Sequence, residues 1–93
     1  MMSKIPGDLA EVKSGELDLE ILRAAVIAEL DAISLYEQLA ASSTNPAVRR
    51  VLLDIAKEEK THMGEFTTLL LRLDTEQAAE LKAGEKEVEE LLE

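Results

Sequence analysis

Glu59-Lys60-Thr61-His62 sets a carboxylate and an imidazole three residues apart, a spacing that on a helix stacks the two side chains on one face. Both can then reach one ion without bending the backbone. Helical bundles that hold two iron or manganese ions combine such a pair with single glutamates from other helices. Glu29 is a candidate for that role, because it interrupts an otherwise apolar stripe earlier in the chain. With one histidine and no cysteine, thiolate sites, disulfides and rubredoxin-type iron centres are excluded, and any metal would meet hard or borderline ligands. One chain offers two carboxylates and one imidazole, too few for two ions. Two copies related by a twofold axis offer four carboxylates and two imidazoles, the complement of a di-iron carboxylate site. Half a site implies a second copy, with metal binding and assembly thermodynamically linked.

The elements that must position these residues are helices. From Asp18, a suitable N-cap, the residues Leu22, Val26, Glu29, Ile33, Tyr36 and Ala40 recur at alternating steps of four and three, the seam of a packed helix over about 18–43. Pro46 disfavours a helical Asn45 and suits a first helical position, so 41–46 reads as a short helix-to-helix turn capped by Asn45. A second seam, Val48, Leu52, Ile55, Glu59, His62, Phe66, Leu69 and Leu73, spans about 46–73. Glu29 lies 16 residues before Asn45, while Glu59 and His62 lie 14 and 17 after it. In an antiparallel hairpin all three therefore meet at one level. Thr75 can cap a shorter third helix over about 75–92, with Ala78, Leu81, Val88 and Leu92 as a weaker stripe that Gly84 threatens to break. This helix is expected to pack on the hairpin or on a neighbour. Residues 1–17, with Pro6-Gly7 and Ser14-Gly15, read as an irregular or partly helical arm.

At 93 residues the chain is one domain near the lower size for a self-sufficient core, and association would help it. Its 46% hydrophobic content argues against a disordered acidic tail, and a supply of Ala, Leu, Glu and Lys with only two aromatics, Tyr36 and Phe66, points to an all-α protein. A formal charge of -10 repels nucleic acid and anionic membranes and attracts small cations. No apolar run approaches the roughly 20 residues of a membrane span, and residues 1–15 lack the apolar core of a signal peptide, so a cytoplasmic protein is expected.

Each candidate has a plain alternative. Glu59 and His62 alone suit a surface pair; His62 alone, a satisfied core histidine; Glu29 alone, a buried acid held by a lysine or tyrosine. Their conjunction on two seams at one level favours metal, because ionised groups in an apolar seam need compensation. Tyr36, seven residues after Glu29, is either a hydrogen-bond donor to a ligand carboxylate or a core aromatic with a wet hydroxyl. Asp31, Glu58 and Glu65 flank the region; of these Asp31 is kept as a candidate cation-entry residue. Gly64, inside a helix and opposite His62, hints at close approach of another helix.

The stretch Ala28-Glu29-Leu30-Asp31-Ala32-Ile33 with Tyr36, followed by Glu58-Glu59-Lys60-Thr61-His62, resembles the encapsulated ferritins, a branch of the ferritin-like superfamily. The resemblance covers about residues 18–92. It implies a two-helix hairpin with a short C-terminal helix, pairing into a ferritin-like four-helix bundle within a ring-shaped decamer. It further implies that Glu29, Glu59 and His62 ligate iron, two ions per dimer at the subunit interface. Tyr36 then stands near the iron, and Asp31 forms the entry site, where Ala28 replaces an acid found in many members. The implied activity is ferroxidase, Fe(II) and oxygen giving Fe(III), inside an encapsulin nanocompartment whose shell stores the product. Many members carry a shell-docking tail or are fused to the shell protein; neither follows Glu93. Two other readings stay open: a rubrerythrin- or catalase-like peroxide-handling protein with the same ligands, and a non-catalytic helical oligomerisation module whose polar seam residues only fix register.

Overall fold

A computed structural model describes residues 14–93, and what was read for residues 1–13 lies outside the described residues. The described chain is three helices, α1 (Ser14–Ser42), α2 (Pro46–Leu73) and α3 (Thr75–Leu92), with no strand among these residues. α1 starts ahead of Asp18, which therefore lies inside the helix and does not cap it. The apolar Leu17, half-buried, extends the packed surface beyond the expected start.

Local chemistry sets the hairpin turn. Ser43 N–H donates to Leu39 O (3.1 Å) and Ala40 O (3.3 Å), and Ser42 Oγ donates to Gln38 O, so that carbonyls of the last turns of α1 keep partners where the helix stops. Asn45 then sits in the extended conformation (φ -88°, ψ 117°) that Pro46 favours, and its Oδ1 accepts from Ala47 N at 2.9 Å and Val48 N at 3.2 Å. α1 and α2 pack along their length as an antiparallel pair. At the far end one residue, Asp74, separates α2 from α3. It, and not Thr75, caps α3: a side chain three residues ahead of Gln77 reaches that N–H, leaving Thr75 as the first helical residue.

The hairpin's core is thin. Its buried apolar residues are Leu22, Ile33 and Ala40 on α1 and Ala56 and Leu70 on α2. The seam expected on α2 is only partly the buried one. Leu52, Ile55, Glu59 and Phe66 are half-buried, but Val48, His62, Leu69 and Leu73 are exposed, and the buried Ala56 and Leu70 lie outside the expected set. The reason is that α2 carries two adjoining apolar faces, and a single stripe read from sequence runs along their border. At the helical step of about 100° per residue, Val48, Val51, His62, Leu69 and Leu73 lie about 90° around α2 from Ala56 and Leu70. A matching stripe on α1, formed by Ile21, Ala25, Ala28, Ala32, Leu35 and Leu39, lies about 100° from the buried line. Both stripes are on the same side of the hairpin, where Ile21, Leu22, Leu69 and Leu73 line an open groove of about 310 Å³.

α3 runs unbroken through Gly84 and does not pack along the hairpin. Gln77 and Ala78 in its first turn are half-buried, whereas every residue from Ala79 to Glu93 is exposed, including Leu81, Val88 and Leu92. The outcome is a flat, open molecule of 47 × 45 × 19 Å with a radius of gyration of 16.6 Å. A compact domain of the described length would have a radius of about 12 Å. Its accessible surface, 7298 Å², likewise exceeds the about 5,000 Å² expected of a compact chain of this mass.

Candidate metal centre

Glu29 comes from the middle of α1, and Glu59 and His62 from successive turns of α2. One ligand atom from each lies within 4.8 Å of the other two. Residues about equally far from the Asn45 turn thus meet in space. Glu29 and Glu59 are half-buried between the helices, while His62 stands 47% exposed on the open side. The cluster therefore lies at the border between the hairpin's core and its uncovered apolar face.

The polar groups here do not satisfy one another. Oε2 of Glu29 is buried and has no hydrogen-bond partner. His62 Nδ1 and Glu59 Oε1 are 3.7 Å apart, beyond hydrogen-bonding distance. Lys60, next to Glu59 in sequence, is directed to Glu37 instead, at 2.9 Å, and Oε2 of Glu29 has no lysine partner, so a glutamate held by a neighbouring lysine finds no support there. An orphaned buried carboxylate oxygen beside a second carboxylate and an imidazole is a donor set that fits a divalent first-row ion. No thiol is present to favour a softer ion.

Tyr36 lies seven residues beyond Glu29, about 20° from it around α1, and is half-buried. Asp31 is not in the cluster: two residues on from Glu29 it is about 200° around the helix, half-exposed. Gly64 is exposed, and a Cβ built there meets nothing within 4 Å, so no close approach within the chain explains it. What sequence reasoning missed is the apolar border of the centre. Ala25, Ala28 and Ala32 flank Glu29 on the open side, small residues between the larger Ile21 and Leu35, and this shallow saddle is visible in the sequence once a second stripe is sought. No helix of the described residues is long and apolar enough to cross a membrane.

Comparison with known proteins gives consistent matches. The rubrerythrin family model matches residues 20–92. Over 73 residues the chain is 63% identical to a ferritin-like-encapsulin shell fusion protein of Pyrococcus furiosus, a stretch making up 78% of this chain and 21% of that protein. It is 39% identical over 61 residues to the encapsulin nanocompartment cargo protein EncC of Myxococcus xanthus, covering 66% of this chain and 47% of the relative. The cargo protein EncB of the same organism is 38% identical over 60 residues, 64% of this chain and 38% of the relative. The chain thus spans about a fifth of the fusion protein's length and less than half of each cargo protein's. The crystal structure of the encapsulated ferritin domain from Pyrococcus furiosus superposes with a TM-score of 0.84 at 56% identity, covering 94% of this chain and 87% of that one.

Proposed function

The chain belongs to the rubrerythrin family and, within the ferritin-like proteins, to the encapsulated ferritins, and on that premise we propose that it is a ferroxidase whose di-iron site forms between two copies. The observation that carries the reading is the orphaned Oε2 of Glu29 beside Glu59 and His62 at the edge of an uncovered apolar face. A lone chain brings the three ligand atoms together but leaves Oε2 of Glu29 without a partner. A second copy laid against the same face, twofold-related, doubles the donor set and covers Ile21, Leu35, Leu69 and Leu73. The alanine saddle around Glu29 lets the two copies approach closely where the ligands meet. The open molecule's surplus of about 2,000 Å² per chain exceeds the about 800 Å² that each partner loses in a standard interface and matches the larger, obligate class.

Fe(II) is the substrate in this account. Glu29, Glu59 and His62 of each copy hold it, and carboxylates suit the task because they accommodate both oxidation states and can shift between terminal and bridging modes. Two Fe(II) ions give one electron each, and dioxygen takes both, with two protons from solvent, to become hydrogen peroxide. Tyr36, on the same stripe as Glu29, would donate a hydrogen bond to a ligand carboxylate in the assembled pair and so fix its orientation. Asp31, with the chain's negative field, draws cations toward the interface. Beyond the dimer, the reading extends to a ring-shaped decamer lodged in the cytoplasm inside an encapsulin shell, which receives the Fe(III). The names of the relatives support that last step: two are encapsulin cargo proteins and one is fused to a shell.

The test is aerobic oxidation of Fe(II), followed by absorbance, with the protein and its Glu59→Ala variant. The account expects rapid oxidation by the first and the protein-free rate with the second; equal rates overturn it. The rubrerythrin match favours one further reading, turnover of hydrogen peroxide at the same ligands, and faster Fe(II) oxidation with peroxide than with oxygen would select it. A non-catalytic oligomerisation module would bind no iron at all.

A further inference from the structure

The joint between α2 and α3 is a single residue with two tasks. Asp74 N–H donates to Leu70 O at 2.8 Å, ending α2, and its Oδ1 accepts from Gln77 N at 2.9 Å, starting α3. Its other oxygen, Oδ2, accepts from Nη2 of Arg23 on α1 at 3.1 Å. Nη1 of the same guanidinium is held by Glu20 Oε1 at 2.9 Å, one turn earlier on α1. The side chains of Arg23 and Asp74 are 43% and 17% exposed, against 57% and 47% for the 2.9 Å pair of Lys60 and Glu37, so the Asp74 end of the pair is the shielded one.

Little else fixes the direction of α3. Only Gln77 and Ala78 of its first turns are half-buried, and no residue of α3 is buried. A helix attached at one end behaves as a lever. Its 18 residues extend about 27 Å, so a rotation of about 10° at Asp74 moves Leu92 by about 5 Å, close to one helical pitch. Such a shift is enough to put an exposed leucine one turn out of register with any surface it meets. The two oxygens of Asp74, one bonded to the first turn of α3 and the other to Arg23 on α1, tie the joint to both elements.

We propose that the Arg23–Asp74 pair is an angular lock that sets the direction in which α3 leaves the hairpin and, through it, the number of copies that close an assembly. The first half is a property of the single chain. The second rests on the reading that copies assemble, and the two are measured separately.

Because the chain has no cysteine, Asp54→Cys on α2 and Lys86→Cys on α3 give two unique attachment points for spin labels in the full chain. Labelled chain is diluted into unlabelled chain so that only distances within one copy are read. Arg23→Ala is expected to broaden the distance distribution at least twofold at unchanged helical content, and Arg23→Lys to restore most of its sharpness. Asp74→Asn, which keeps a good capping side chain, is expected to broaden it as well, separating the lock from the cap. Native mass spectra of Arg23→Ala should show several oligomer sizes in place of one, with the iron bound per pair of chains unchanged. Distributions of unchanged width and centre in both Arg23→Ala and Asp74→Asn overturn the lock. A broadened distribution with a single, unaltered oligomer overturns its link to assembly. Failure of the unmutated chain to assemble counts against the assembly reading alone, because the distances still judge the lock.

Discussion

Replacing Glu29 by methionine should make the metal-free protein more stable while abolishing its response to iron. The substitution keeps the side chain's length and helix propensity and removes the charge and both oxygens. In the hairpin, Oε2 of Glu29 is buried without a partner, a condition that costs about 1–3 kcal/mol for a fully buried neutral acceptor and more for a charged one. Since the residue as a whole is half-buried, the lower end applies, about 1 kcal/mol. For a chain of this size that corresponds to a rise of about 4–8 °C in Tm. The unmutated protein should behave in the opposite way when Fe(II) is added. Free ligand at 100 times its Kd stabilises by about 2.7 kcal/mol, or 10 °C and more, through preferential binding to the folded state. The assay is thermal unfolding followed by circular dichroism under anaerobic conditions, with chelator and with Fe(II), for both proteins. A Glu29→Met variant that melts lower than the parent in chelator refutes the argument that this carboxylate is held at a cost. A variant that still gains stability from Fe(II) refutes its role as a ligand.

Other substitutions probe separate parts of the account. His62→Ala should lose Fe(II) oxidation as fully as Glu59→Ala, yet leave metal-free stability within about 0.5 kcal/mol, because the imidazole is exposed and makes no hydrogen bond; oxidation rate and thermal melting read the two effects. Ala32→Leu, on the saddle beside Glu29, should preserve the helical circular dichroism spectrum but block the iron-linked association of two chains in native mass spectra. Asn45→Ala removes an oxygen that accepts from both Ala47 N and Val48 N and should cost about 1 kcal/mol, whereas Asn45→Asp should be nearly neutral in thermal unfolding. Gly64→Ala places its Cβ in open space and should stabilise the isolated chain by about 1 kcal/mol; weaker assembly in the same variant would locate a partner helix over that position.

Much of this was legible in the sequence because the determinants are local or periodic. Asn45-Pro46 marks the turn through backbone restriction and capping, and the distances of Glu29, Glu59 and His62 from that turn place them together because antiparallel helices of equal rise must face each other level for level. The orientation of His62 was less legible. α2 is apolar on two adjoining faces, one for its own hairpin and one left uncovered, and periodicity records their sum without saying which residue belongs to which. The cap of α3 was misplaced by one residue, to Thr75, because both Asp and Thr favour such positions and only the three-dimensional reach of Asp74 to Gln77 decides between them. The course of α3 was not legible at all. A one-residue joint transmits no periodic signal, and the pair that steadies it, Arg23 with Asp74, joins positions 51 residues apart.

The central claim is that one chain carries half of a metal site. It is tested most directly by native mass spectrometry of the protein titrated with Fe(II) under anaerobic conditions, which reads subunit number and bound metal in the same peak. The account predicts that iron appears only on even-numbered assemblies, with two ions for each pair of chains, and that chelator shifts the population toward monomer. Iron bound to the monomer at one or more ions per chain, or assemblies that form and persist with no dependence on iron and no iron in them, would contradict it.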